Sequence, residues 1–360
     1  MRRWSIGREL LMSDRWFFAA TAGLSLISIV AMKSAAATLN PALAWRQLLW
    51  VVLGVIAGVV VSRISYTRWL DLSPLLYALT ILLLGIVELA GTVKLGAARW
   101  LTIFGFSVQP SELAKLATAC CLAQYLSAQP TPLPFRSIVA SAAIMAVPAG
   151  LVFAQPDLGT SSVLIAIWLG MVWVAGLPRR YFQWMIGAGL LLLPIGWHFL
   201  KEYQRTRLLV FINPHADPLG AGYTIIQSQI AIGSGQIFGR GWMSGTQNQL
   251  NFLPERHADF LFSVIGEEWG FLGSIAVVGL LAIWMWRAAV IASHSVESRG
   301  RLLGVGLLSW MAYQGVINMA MVMGLVPVVG IPLPMISYGG SAMVMAWVST
   351  GLLENVQRNS

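Results

Sequence analysis

Charged side chains are scarce in this chain of 360 residues. Asp, Glu, Lys and Arg together make up 10% of it, whereas a soluble globular domain averages about 25%. Only 14 residues are acidic, so the net charge of +9 reflects a shortage of acids and not a basic run. The arginines are scattered between apolar segments. This pattern disfavours both an ordinary soluble domain and a protein that binds nucleic acid.

Cysteine and histidine are also rare. The two cysteines, Cys120 and Cys121, are adjacent in an apolar stretch, where neighbouring helical side chains point in different directions. The four histidines lack metal-ligand spacing, and no P-loop, GxSxG, HExxH or dinucleotide fingerprint occurs in a plausible context. The sequence therefore predicts no disulfide, no dedicated metal site and no nucleotide as energy source. A substrate should carry its own activated bond.

Apolar residues dominate instead. They make up 57% of the chain, and glycine, tryptophan and methionine are abundant, as is common in helices packed within lipid. A membrane span needs roughly 20 apolar residues. The sequence therefore predicts an all-α integral membrane protein, with residues 1–360 forming one polytopic domain of about ten transmembrane helices. The predicted spans are 17–37, 45–62, 74–93, 110–127, 137–154, 158–176, 182–200, 260–287, 302–326 and 337–353.

The distribution of positive charge predicts the orientation. An even number of spans puts both termini on one side of the membrane. With the N-terminus in the cytoplasm, more than half of the 23 Lys and Arg residues fall in short inner segments, as the positive-inside rule requires. Both termini are therefore predicted to be cytoplasmic. Residues 200–259 then form a long extracytoplasmic loop before the eighth span, and its aromatics, glycine turns and amides predict an ordered segment.

Ionisable residues in or beside the spans are candidates for function. Glu112 and Lys115 lie three residues apart, on one face of the fourth span. They form either an internal ion pair or a site where Lys115 meets a substrate phosphate. Asp259 lies where the polar loop meets the eighth span. Its carboxylate is either a helix N-cap or a partly desolvated general base with a raised pKa.

Several arginines collect on the predicted outer side. They are Arg46, Arg99, Arg205, Arg207 and Arg240. A cluster of cations at the lipid boundary suits an anionic headgroup such as a pyrophosphate. Simple snorkelling of long side chains to the interface is the alternative.

Taken together, the polar segments resemble those of the SEDS proteins (shape, elongation, division and sporulation). PERHADF at 254–260 and VPVVGIPLP at 326–334 resemble the RodA-like elongation branch more than the FtsW-like division branch. Ala258 departs from the family, which commonly has threonine before the aspartate. The resemblance covers nearly the whole chain through GAARWLTIFGFSVQPSELAK at 96–115, QPDLGT at 155–160, RLLVFINPHADPLGAGYTIIQSQIAIGSGQIFGRG at 207–241, NFLPERHADFLFSVIGEEWGFLG at 251–273 and NMAMVMGLVPVVGIPLPMISYGGS at 318–341.

The resemblance implies a peptidoglycan polymerase, a glycosyltransferase of cell elongation and rod shape. Such an enzyme joins lipid II units by inverting β-1,4 transfer and releases undecaprenyl pyrophosphate at the outer face of the cytoplasmic (inner) membrane. The family aspartate thought to be catalytic corresponds to Asp259. Other family residues regarded as important correspond to Arg99, Glu112, Lys115 and Asp157.

The resemblance also implies partners. These are a class B penicillin-binding protein, which is a transpeptidase, the elongation machinery and membrane lipid. A weakly bound divalent cation, Mg²⁺ or Mn²⁺, would be held mainly through the phosphates of the substrate.

Two other functions remain open at this stage. A flippase for lipid-linked precursors would explain the spans and the cations equally well, although transporter sites tend to lie at the bilayer midplane. A non-catalytic scaffold for wall synthesis would need Asp259 for assembly alone.

Overall fold

The computed structural model of the protein describes residues 3–94, 97–103, 106–200, 202–214, 217, 218, 220 and 222–359. Its helices and strands, in chain order, are α1 (Arg3–Ala35), α2 (Ala42–Arg63), α3 (Tyr66–Asp71), α4 (Ser73–Ala90), β1 (Thr92–Lys94), β2 (Ala97–Ile103), β3 (Phe106–Val108), α5 (Pro110–Ser127), α6 (Phe135–Ala154), α7 (Leu158–Val174), α8 (Arg179–Phe199), α9 (Glu202–Ile212), α10 (Tyr223–Ser234), α11 (Thr246–Gln249), α12 (Leu261–His294), α13 (Ser298–Val322) and α14 (Gly340–Arg358).

Each predicted span coincides with one of the long helices. The helices concerned are α1, α2, α4 to α8 and α12 to α14. Within the described residues, five segments are both long and apolar enough to cross a membrane: Arg15–Ala35, Ala42–Arg63, Phe135–Ala154, Leu261–His294 and Ser298–Val322. The architecture therefore fits an all-α, multi-pass membrane protein. The full number of spans and their orientation stay predictions.

A small sheet between α4 and α5 was not predicted. Strand β2 pairs antiparallel with both β1 and β3, giving the order β1-β2-β3. The prediction placed the end of the third span at 93, but α4 ends at Ala90 and β1 begins at Thr92. Strands this short leave almost no periodicity to detect in a sequence. The sheet matters for the site because β2 carries Arg99.

The predicted loop at 200–259 contains secondary structure of its own. Its described parts form α9, α10 and the short α11. Positions 201, 215, 216, 219 and 221 of this loop lie outside the described residues.

Helices α2 and α14 approach each other closely through glycines. A Cβ atom added at Gly351 would lie 2.2 Å from the backbone oxygen of Gly58, and one added at Gly58 would lie 2.7 Å from that of Trp347. Small residues at a helix interface allow such close backbone contact inside a membrane.

Residues 323–339 connect α13 to α14 without helical structure. Backbone without helical hydrogen bonds needs other partners when it is buried. Gln47 of α2 donates to the Ser337 carbonyl at 3.3 Å and to the Ser28 hydroxyl at 2.7 Å. Ser28 in turn donates to the Ile336 carbonyl at 2.6 Å. We call residues 323–339 the connecting segment.

The glycine contact between α2 and α14 predicts a stability effect. Gly351→Ala should lower the free energy of unfolding by about 1–3 kcal/mol, because the new methyl group collides with backbone that has no room to move. Gly85→Ala is the matched control, since no atom of the described residues lies within 4 Å of a Cβ at Gly85 in α4. Denaturation of both purified variants in detergent measures the difference. Equal stability of the two would contradict this packing.

Candidate active site

Asp259 lies in a short link between α11 and α12 that Arg256 fixes to the rest of the protein. Arg256 is 1% exposed. Its guanidinium donates to the carbonyl of Ala35 at 2.9 Å, to the carbonyl of Asn248 and to the hydroxyl of Thr38. One buried arginine therefore ties the link to the end of α1 and to α11.

Two glutamates on α12 hold the short helix α11 in place. Glu267 accepts hydrogen bonds from the backbone N–H groups of Gln247 and Asn248, at 2.8 and 3.2 Å. Glu268 accepts from the Ser34 hydroxyl at 2.5 Å and from the Asn248 amide at 2.9 Å. Both carboxylates are buried and occupied by protein donors, so their role here is structural.

The carboxylate of Asp259 does not serve as a helix cap. The N-cap position of α12 belongs to Phe260, and no side chain caps this helix. The cap alternative for Asp259 is therefore disfavoured by the geometry, and its carboxylate is available to a ligand.

Two cavities meet at Asp259. The first, which we call the helix-side cavity, has a volume of about 630 Å³. It lies against α9 and α10 and is lined by Glu202, Thr206, Arg207, Val210, Thr224, Ile225, Pro254, Phe260 and Val328. The second, the sheet-side cavity, has a volume of about 700 Å³ and lies against β2, α2 and α5. Glu255, Asp259 and Gly330 line both cavities.

Gly330 keeps the junction of the two cavities open. It belongs to the connecting segment and has a φ of +69°, a conformation that favours glycine. A Cβ at this position would lie 3.4 Å from the Oδ2 atom of Asp259. The missing side chain thus leaves free space directly in front of the carboxylate.

The surroundings of Asp259 raise the pKa of its carboxyl to about 6, from an ordinary value of 3.8. Burial is the largest cause, and the negative charges of Glu255 and Asp157 add to it. The cations Arg207 and Arg99 act in the opposite direction. A carboxylate whose pKa lies near neutrality is suited to accept a proton during catalysis.

Arg99 and Asp157 form one wall of the sheet-side cavity. Arg99 of β2 donates to the carbonyls of Gln155, at 2.9 Å, and Pro156, and its guanidinium lies 3.8 Å from the Asp157 carboxylate. Asp157 also caps α7 by accepting from the N–H and the hydroxyl of Thr160, both at 3.0 Å. The sheet therefore brings a cation to the cavity and anchors it on the start of α7.

Lys115 and Glu112 form a buried ion pair. The Lys115 ammonium, 1% exposed, lies 2.7 Å from Glu112 Oε1 and donates to Gln314 Oε1 at 2.9 Å. Glu112 lines the sheet-side cavity, whereas Lys115 is not among the lining residues of either cavity. The geometry favours the ion-pair alternative over direct contact between Lys115 and a phosphate.

The remaining predicted arginines are distributed unevenly. Arg46 lines the sheet-side cavity and Arg207 lines the helix-side cavity. Arg205 donates to the carbonyls of Trp197 and His198, and Arg240 donates to that of Ser234. Neither Arg205 nor Arg240 is among the residues that line the two cavities. Their part in substrate binding stays a prediction.

Sequence reasoning missed several residues of the site. Glu255 and His257 flank Asp259 closely enough to be suspected, but Gly330 and Tyr338 come from the distant connecting segment. The N–H of Tyr338 donates to the His257 carbonyl at 2.9 Å, which joins this segment to the link that carries Asp259. Burial lowers the pKa of His257, so its imidazole is neutral at pH 7.

Comparison with known proteins agrees with the geometry. The family model described as "Cell cycle protein", which unites FtsW, RodA and SpoVE, matches residues 11–360. The chain belongs to this family. The resemblance to the SEDS proteins is thereby confirmed.

Relatives within the FtsW, RodA and SpoVE family cover most of the chain. The peptidoglycan glycosyltransferase MrdB of Escherichia coli K12 is 38% identical over 316 residues, which is 86% of this chain and 84% of that protein. The peptidoglycan glycosyltransferase RodA of Treponema pallidum is 33% identical, covering 86% of this chain and 88% of that protein. Stage V sporulation protein E of Bacillus subtilis is 36% identical, covering 88% and 87% respectively.

Solved structures of family members share the fold. A chain from a study of how a peptidoglycan synthase complex coordinates polymerization and crosslinking superposes with a TM-score of 0.83 and 31% identity, covering 95% of this chain and 97% of that one. The rod shape determining protein RodA of Thermus thermophilus superposes with a TM-score of 0.72 and 28% identity, covering 95% and 96%.

The charges around Asp259 predict its titration. Infrared difference spectra, with Asp259→Asn as the reference, should show this carboxyl half-protonated near pH 6. Glu255→Gln should lower the midpoint, because it removes a repelling negative charge. Arg207→Gln should raise it, because it removes an attracting cation. A wild-type midpoint at the ordinary value of 3.8 would contradict this description of the site.

Proposed function

We propose that this protein is a peptidoglycan glycosyltransferase that joins disaccharide-peptide units carried by lipid II. The observation that carries the proposal is the meeting of two cavities at Asp259, whose carboxyl has a pKa raised to about 6. A polymerase of this kind must hold two lipid-linked sugars at once, with their reacting ends in contact. The names of the relatives in Escherichia coli and Treponema pallidum support the same activity.

The chemistry requires a base at the junction. Asp259 takes the proton from the 4-hydroxyl of the acceptor sugar as that oxygen attacks the anomeric carbon of the donor. The new β-1,4 bond forms while the α-linked bond to the pyrophosphate breaks. The electron pair leaves with undecaprenyl pyrophosphate. Because a pyrophosphate is a weakly basic leaving group, the second carboxylic acid of a typical glycosidase is not needed.

Positive charge in each cavity supports this assignment. Both substrates carry a pyrophosphate, and each cavity contains arginine: Arg46 and Arg99 on the sheet side, Arg207 on the helix side. Guanidinium groups bind phosphate oxygens through paired hydrogen bonds. Beside the departing pyrophosphate they also stabilise the negative charge that develops as the bond breaks.

The role of a divalent cation is a separate prediction from that of the base. Among the described residues, no three His, Cys, Asp or Glu side chains come together as ligands, so this part of the chain provides no cage. A weakly bound Mg²⁺ or Mn²⁺ on the substrate phosphates stays a prediction, which strand synthesis under rigorous chelation would test.

The setting of the reaction is part of the same proposal. We propose that the protein lies in the cytoplasmic (inner) membrane, with Asp259 on the extracytoplasmic face and the polymer serving cell elongation and rod shape. A class B penicillin-binding protein would crosslink the strands. The likeness to a chain of a peptidoglycan synthase complex supports such a partner, and the wider elongation machinery would recruit the pair.

A flippase is the alternative function. It would need a substrate path through the bundle, with the polar site near the bilayer midplane. Asp259 instead lies two residues before α12, which is interrupted at Gly270, where the predicted extracytoplasmic loop meets the helix. This position supports the polymerase over the flippase.

The test is strand synthesis from purified lipid II by the protein reconstituted with its penicillin-binding partner. Asp259→Ala should abolish synthesis, because it removes the carboxylate whose raised pKa suits it to accept the proton. Asp71→Ala is the control, since the exposed Asp71 side chain pairs with Arg299 and lines neither cavity. It should retain wild-type activity.

Partner binding and thermal unfolding of both variants establish that they are folded. Equal synthesis by Asp259→Ala and wild type would remove Asp259 as the base. Absence of strands from the wild type would favour the flippase.

A further inference from the structure

Two buried amides lie on one face of α13. Gln314 and Asn318 are four residues apart, which places them on the same side of the helix. They are 2% and 0% exposed. A polar side chain buried in a membrane helix is costly unless its hydrogen bonds are satisfied. The amide nitrogens of both residues are paired, whereas the buried Asn318 Oδ1 atom has no hydrogen-bond partner among the described residues. The partners of the two nitrogens indicate what these amides hold together.

Asn318 connects two separate parts of the active site. Its Nδ2 atom donates to the carbonyl of Asp259 at 2.8 Å and to the carbonyl of Ile331 at 2.7 Å. The first carbonyl belongs to the catalytic residue itself. The second belongs to the residue after Gly330, which borders the space in front of the Asp259 carboxylate. A single amide nitrogen thus holds Asp259 and the backbone beside Gly330 together.

Gln314 bonds to the connecting segment one residue further along the chain. Its Nε2 atom donates to the Pro332 carbonyl at 2.8 Å. Its Oε1 atom accepts from Lys115 at 2.9 Å and from the Trp310 indole at 2.8 Å. The buried ion pair of Lys115 and Glu112 is therefore linked through Gln314 to the connecting segment.

We propose that Asn318 is a positioning residue, which fixes the distance between Asp259 and the backbone beside Gly330. Gln314, which is itself held by Lys115, positions the same stretch of backbone. This inference rests on the proposed role of Asp259 as the base. A base works only within hydrogen-bond reach of the proton that it takes. A shift of about 1 Å in a reacting group can cost about 100-fold in rate.

The test compares Asn318→Leu with Asn355→Leu in the full complex with lipid II. Leucine has a similar size to asparagine but no donor. Asn355 of α14 is an equally buried amide that donates to the Ser62 carbonyl at 2.8 Å and accepts from the Tyr66 N–H at 2.6 Å. It lines neither cavity. Both variants should lose thermal stability.

Only Asn318→Leu should lose turnover. Its kcat should fall about 10- to 100-fold, with KM within about threefold of wild type, because a misplaced base slows chemistry more than it weakens binding. The kcat of folded Asn355→Leu should stay at the wild-type value. Wild-type kcat in Asn318→Leu would overturn the proposal, as would an equal fall in both variants.

A milder variant covers the case in which Asn318→Leu does not fold. Asn318→Ser keeps one donor on a shorter side chain, so it can reach at most one of the two carbonyls. Its kcat should lie below that of the wild type, again with little change in KM. A wild-type kcat in Asn318→Ser would overturn the proposal.

Hydrogen exchange tests the same contact without any turnover. The Tyr338 N–H bonds to the His257 carbonyl, across the two parts that Asn318 joins. It should exchange faster in Asn318→Leu, or in Asn318→Ser, but not in Asn355→Leu. Unchanged exchange in the Asn318 variants would overturn the proposal. If the wild type makes no strands, the proposed polymerase function fails. The exchange measurement still decides whether Asn318 holds the connecting segment against the link that carries Asp259.

Discussion

The candidate active site depends on a stretch of non-helical backbone whose polar groups are hydrogen-bonded by side chains of the protein. Residues 323–339 return from α13 to α14 without a helix, so their carbonyl groups lack the regular partners that a helix provides. Gln47, Gln314 and Asn318 supply donors to this segment from two spanning helices. Each such bond contributes only about 0.5–1.5 kcal/mol, but a buried carbonyl left unpaired costs about 1–3 kcal/mol. Strict pairing is therefore what allows the segment to border Asp259.

Burial and charge act together on the Asp259 carboxylate. Burial raises the pKa of Asp259, as do Glu255 and Asp157, whereas Arg207 and Arg99 lower it. Those two arginines also line the cavities that receive the pyrophosphates in our proposal. Anionic substrates would partly neutralise them, so binding itself should strengthen the base. The same cations thus serve recognition and adjust the proton affinity of Asp259.

The helices could be predicted because long apolar runs are a strong signal, and each predicted run coincides with a helix. The strand that carries Arg99 could not, since short strands in a glycine-containing motif have little periodicity. Asp259 stood out as a charge where polar loop meets apolar helix. Gln314, Asn318 and Gly330 did not, because single polar or small residues within apolar runs give no sign of which distant carbonyl or carboxylate they face.

A structure of Asp259→Asn with bound lipid II would show whether two lipid-linked substrates meet at residue 259. We expect one disaccharide in each cavity, with their reacting ends beside residue 259 and each pyrophosphate near an arginine of its own cavity. Lipid II bound within the helical bundle, or at a surface remote from residue 259, would contradict it.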